Sequence, residues 1–115
     1  MGAALLIGLV VLAASGPAAA KAPDWRIYAD CSAAYSVNAD IKDPDRTPSM
    51  TTQVTELSNE YADAALMRYR QQGQAAPRAA IAAVRARVRS RTRHYAGQTR
   101  GAVERVIDAC PQPPQ

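Results

Sequence analysis

Phenylalanine is absent from this sequence, histidine and tryptophan occur once each, and cysteine occurs twice. Each scarcity excludes something. Without phenylalanine, a core must be filled by tyrosines, Trp25, alanines and aliphatics. Two cysteines and His94 do not supply the four ligands of a structural zinc site, and no C-x-x-C spacing marks a redox dithiol. A lone histidine among arginines, His94 reads as a surface residue. No G-x-S-x-G, glycine-rich phosphate loop, H-E-x-x-H or Cys–His arrangement is present. Asp40, Asp43 and Asp45 lie close together, but they lack the spacing and the closing glutamate of a calcium loop. There is no alternating valine, isoleucine and threonine run, no hairpin dipeptide and no internal repeat. These absences argue against an enzyme, a metal centre or a cofactor, and they favour an all-α fold.

Charge is missing from the N-terminus. Gly2 to Ala20 carries no charged residue, and Ala3 to Ala14 is a short apolar run. Ser15-Gly16-Pro17 breaks that run. Ala18-Ala19-Ala20 then offers the small residues that a signal peptidase reads. Residues 1–20 therefore read as a secretory signal peptide cleaved after Ala20, although no lysine or arginine precedes the apolar run. The run is shorter than the roughly 18 residues that read as a membrane span. A membrane attachment is expected only if this segment stays uncleaved. No cysteine follows the run, so a lipid anchor is not suggested. The expected destination is periplasmic or secreted.

The mature part, from Lys21 onward, carries the whole net charge of +4. That charge is unevenly spread. Pro77 to Cys110 holds eight arginines against Glu104 and Asp108, a net of +6, so Lys21 to Ala76 is about −2. A basic segment beside an acidic one favours internal pairing as much as an external anionic partner.

Three helical patterns fill residues 21–110. In the first, Asp24 is a candidate N-cap, and Ile27, Tyr28, Cys31, Ala34 and Tyr35 recur at helical spacing. In the second, Thr47-Pro48 marks a start. Met50, Val54, Leu57, Tyr61, Ala64 or Ala65, and Arg68 or Tyr69 then form a stripe that ends near Gly73. The third starts at Pro77. Its stripe is Ile81, Val84, Val88, Thr92, Tyr95, Thr99, Val103, Val106 and Cys110. Gly97 and Gly101 interrupt it and could mark a kink or a close helix contact. Read as one long helix, this last third looks like the central beam of a small three-helix antiparallel bundle. Residues 111–115, rich in proline, read as a disordered tail.

Cys31 and Cys110 each lie on the apolar stripe of their own helix. With an export signal, an even cysteine count reads as a disulfide; two buried free thiols are the alternative. The bridge would close a loop of about 80 residues, for which chain entropy gives roughly 4.5 kcal/mol.

Arg85, Arg87, Arg89, Arg91 and Arg93 are the sharpest local feature. Their spacing fans them around the helix, with Arg87, Arg89 and Arg93 on or near the side opposite the stripe and Arg85 and Arg91 at its flanks. They suggest a face for an anionic envelope polymer or a membrane surface. Nucleic acid is not expected, given the export signal and the lack of an aromatic platform. The competing explanation is a solvated face partly paired with Glu56, Glu60 and Asp63, which should then lie beside Arg100 and Arg105. Two roles remain: a non-catalytic interaction or structural protein of the cell envelope, which should show a spare apolar patch, and an anion binder, which should show unpaired arginines.

Overall fold

The computed structural model describes residues 22–73 and 76–114. The expected signal peptide lies outside these residues. The fold is an all-α bundle. Its helices are α1 (Trp25–Asp40), α2 (Pro48–Gly73), α3 (Pro77–Ala96) and α4 (Arg100–Asp108). The starts follow local chemistry. Asp24 caps α1 by accepting from the Arg26 amide at 2.8 Å, which satisfies one of the amides a helix leaves open at its beginning. Thr47 Oγ1 accepts from the Met50 amide at 3.2 Å, and Pro48 and Pro77 take first helical positions, where a missing N–H costs nothing.

Helix α1 is the centre of the bundle, and α2, α3 and α4 each pack against it. This corrects the expectation that the last third forms the central beam. The reason is side-chain size. Ala29, Ser32, Ala33 and Ala34 are all buried, and such small residues let helices approach from several directions. On the α2 side, Ser32 Oγ donates to the Ser58 carbonyl and Ser58 Oγ donates to the Ser32 carbonyl, both at 2.8 Å. That reciprocal pair fixes a close contact and leaves neither hydroxyl buried without a partner.

Aromatic pairs set the direction of α2. Trp25 meets Tyr69 edge-on at 5.0 Å between centroids, and Tyr35 stacks on Tyr61 at 5.4 Å. The start of α1 therefore lies beside the end of α2, and the two run antiparallel. Helix α3 runs parallel to α1, because Asp30 meets Arg87 while Ala33 and Ala34 meet Tyr95.

The C-terminal stripe is divided between two helices. Gly97 caps α3, and Thr99 caps α4 by accepting from the Ala102 amide at 3.2 Å. The disulfide requires this division. Cys31 is bonded to Cys110, while the adjacent Asp30 is paired with Arg87. In one continuous helix, positions 87 and 110 would stand about 34 Å apart at 1.5 Å per residue. The chain must fold back, so α4 lies antiparallel to α1. Val103 of α4 is 1% exposed and packs with Ala33, Ala34 and Tyr95. Neither glycine acts as a close-contact residue here. A Cβ on Gly97 would meet only the His94 carbonyl of its own helix at 3.6 Å, and one on Gly101 would meet nothing within 4 Å.

Past α4, the Tyr61 hydroxyl donates to the Pro111 carbonyl at 2.6 Å. This ties the start of the C-terminal segment to the core. Several expected stripe residues face outward: Ile27 is 45% exposed, Met50 48% and Ile81 37%.

Candidate functional site

The five clustered arginines divide into two sets across α3. Arg87 and Arg91 turn toward α1. Arg87 grips Asp30 with two hydrogen bonds, Nε to Oδ1 at 2.7 Å and Nη2 to Oδ2 at 2.9 Å. This bidentate geometry is the strong form of an arginine–carboxylate contact. It holds the Arg87 guanidinium above its ordinary pKa, chiefly through those hydrogen bonds. Arg91 Nε stands 3.8 Å from the same Asp30 oxygen, within Coulombic reach but beyond hydrogen-bond distance. Its other end donates to the Tyr95 hydroxyl at 3.2 Å, and its guanidinium lies 4.8 Å from the Tyr95 ring centroid, a cation–π distance.

Arg87 therefore does not occupy the side opposite the stripe, as its spacing suggested. The buried face of α3 is rotated toward Arg87 and Arg91 and away from Ile81. Asp30 supplies the reason. It sits among Ala29, Cys31, Ser32 and Ala33, all buried, and a carboxylate so placed needs a cation.

Arg85, Arg89 and Arg93 form the second set. All three are exposed, as is Arg78. None of the four joins a salt bridge among the described residues. At 100° per residue these four positions fall within a sector of about 80°. Helix α3 contains no aspartate or glutamate at all, so nothing on its own length offsets them.

The carboxylates expected to answer the basic charge do not do so. Glu56, Glu60 and Asp63 are exposed. Glu60 and Asp63 instead line a hollow with Leu57, Gln112 and Pro113. Arg100 is paired elsewhere, with Asp43 Oδ2 at 2.5 Å and Glu104 Oε1 at 3.0 Å. The cause is the reversal at Thr99, which carries Arg100 to the α1–α2 connection and away from α2. There Asp43 also accepts from the Asp45 amide at 3.0 Å. That hydrogen bond first, and Arg100 second, pull the Asp43 carboxyl below its ordinary pKa.

An apolar groove is the other surface feature. It is open to solvent, has a volume of about 490 Å³, and is lined by Ile27, Cys31, Tyr95, Ala102, Val106 and Ala109, with the charged Asp30 and Arg105 at its edges. The disulfide forms part of its wall. His94 lies outside it, exposed and edge-on to Tyr95 at 5.5 Å.

Sequence reasoning missed Asp30, Asp43 and Tyr95 as partners of the arginines. Asp30 carried a usable signal: a carboxylate in the middle of a small-residue, apolar run. Asp43 carried none, because its partner is chosen by a reversal of the chain.

The arrangement defines a disulfide-stapled helical bundle with one acid-free basic face. Comparison of the chain with protein-family models, with curated proteins and with solved structures finds no match.

Proposed function

We propose that the protein is exported and acts in the cell envelope, periplasmic or secreted, as a non-catalytic interaction or structural protein. The observation that carries this reading is the disulfide between Cys31 and Cys110, placed at the centre of the bundle with Cys31 3% exposed. A bridge on which the docking of α4 depends suits an oxidising compartment, and the apolar run at residues 3–14 supplies a route there. The groove over that bridge offers the spare apolar surface such a role needs. The test is intact mass of the protein recovered from the envelope and culture medium. Loss of residues 1–20 and a mass two hydrogens below the reduced form support export. Recovery of the full-length reduced chain in the cytosol removes the reading.

A second reading has its own observation. Arg85, Arg89 and Arg93 are exposed and lack carboxylate partners among the described residues, which favours an anion-binding role for this face, toward an envelope polymer or a membrane surface. Association that falls steeply with salt supports it; retention on an anionic matrix that ignores salt counts against it.

A further inference from the structure

Resting on the anion-binding reading just given, we propose that Arg78, Arg85, Arg89 and Arg93 form a straight track for one linear, non-nucleic polyanion. The partner's carboxylate, sulfate or phosphate groups follow the axis of α3. The set excludes Arg87 and Arg91, whose carboxylate partner is Asp30.

Geometry is the first argument. The four outer arginines span about 22 Å of helix at 1.5 Å per residue. They stand on one side of a helix whose other side is fixed by buried Ala80, Val84 and Tyr95. The rod is thus preorganised, and a bound chain need not order it. Ile81 lies at one edge of this strip, and the exposed surface among and beside the arginines is otherwise Ala79, Ala82, Ala86 and Ser90. These short side chains let a polymer lie close to the guanidinium groups. A guanidinium fork suits oxygen anions such as carboxylate and phosphate.

A bilayer fits this face less well. A helix lying in a membrane interface buries large apolar side chains opposite its basic ones. The apolar side of α3 is already spent on α1 and α2, and Ile81 is its one exposed large apolar residue. Single-stranded nucleic acid needs stacking platforms. The one aromatic of α3 besides His94 is Tyr95, 4% exposed and covered by Arg91.

The oxidised protein is titrated with polygalacturonate, dextran sulfate, long-chain polyphosphate, oligothymidylate, and vesicles of equimolar phosphatidylcholine and phosphatidylglycerol, between about 50 and 200 mM salt. The expected result is salt-dependent binding to at least one of the three non-nucleic chains, tighter per anionic group than to vesicles. In the triple variant R85Q/R89Q/R93Q, the slope of log affinity against log salt should flatten by about 2 to 3, with affinity lost by about 100-fold at moderate salt. Arg105→Gln, which also removes one exposed charge, should weaken binding less than Arg89→Gln. Binding that prefers vesicles or oligothymidylate, survives the triple variant, or responds equally to Arg105→Gln and Arg89→Gln overturns the track and leaves the broader anion reading standing. No association with any probe at low salt removes both.

Discussion

Helix α1 buries Tyr28, Ala29, Cys31, Ser32, Ala33 and Ala34 within seven positions, while α3, four residues longer, buries only Ala80, Val84 and Tyr95. The difference lies in composition. Helix α1 carries small residues on several sides and is enclosed by its neighbours. Helix α3 carries arginine at every second position from 85 to 93, and it contacts α1 and α2 along one side while leaving the other to solvent. One helix organises the core; the other presents a surface. Covalent linkage joins the two roles, because the reversal after α3 is what returns Cys110 to Cys31.

Breaking that linkage should have the largest effect. The cysteines are 79 positions apart, and closing a loop of that size is worth about 4.5 kcal/mol in the chain-entropy account. Replacing both by serine should lower stability to denaturant by a comparable amount, about 4 kcal/mol, with α4 losing amide protection first. Helix α4 is held by Val103, the bridge, the Arg100 pair and the Tyr61 contact just beyond it. An unchanged denaturation midpoint would show that the bridge is ornamental to the fold.

The contrast between helices can be tested by adding the same bulk to each. Ala33→Leu places a large side chain where exposure is 0%, and overpacking a filled core costs about 1–3 kcal/mol. Ala82→Leu on the outer face of α3, where the residue is exposed, should stay within about 0.5 kcal/mol. Equal losses at the two sites would deny that α1 is the centre.

Asp30 joins the two helices electrostatically. Asp30→Asn removes the charge that Arg87 grips and Arg91 approaches. Side-chain exposure of 21% for Asp30 and 35% for Arg87 leaves solvent screening in play, so the cost should be about 1–2 kcal/mol rather than that of a sealed pair. Thermal or denaturant unfolding reads it. The inward set should then behave unlike the outward one, where Arg89→Gln should leave stability within about 0.5 kcal/mol.

The helical class, the cap at Asp24, the prolines opening α2 and α3, and the Cys31–Cys110 pairing were all legible, because each rests on spacing or on local backbone chemistry. The centre of the bundle was not. A stripe of valines in α3 looks more core-like than a run of alanines, yet Ala29 and Ala33 are fully enclosed while Ile81 is not. Alanine reads as helix former and as packing surface alike, and only tertiary contact separates the two. The division of the last third was half visible, since Gly97 followed by Thr99 reads as a stop and then a cap. What placed the reversal firmly was the joint demand of Asp30–Arg87 and Cys31–Cys110, and the first of these carried no sequence motif. The arginine cluster was visible as a cluster, but its division into an anchored and a free set depended on the position of Asp30.

Tyr61 offers a pH test of the central contact. Burial, followed by the neighbouring Tyr35, Glu60 and Tyr28, raises its pKa. Tyr35 is raised as well, first by burial and then by Asp108. A folded pKa above the unfolded value means full stability below about pH 10 and a loss as pH rises through the folded value. Stability to urea should therefore decline in the alkaline range. Tyr61→Phe should flatten that decline while losing about 1 kcal/mol at neutral pH, the net worth of the hydrogen bond to Pro111. An alkaline profile identical in the variant would place the titration elsewhere.

The smallest expected effect lies at the opposite end of the scale and of α4. Asp43 has its pKa lowered by the Asp45 amide and then by Arg100. A lowered folded pKa means its contribution is present above the unfolded value near 3.9 and is lost as pH falls through the folded one. Protonation should release Arg100 to Glu104 alone, loosening the start of α4 while the disulfide still holds its end. Protection of the Ala102 and Val103 amides, measured against their intrinsic exchange rates, should fall as pH drops below about 4 in the wild type. In Asp43→Asn the same amides should already exchange faster at neutral pH and lose that acid step. If both proteins share one acid profile, the Arg100–Asp43 pair does not secure the reversal, and the turn is held by the Thr99 cap and the packing of Val103 alone.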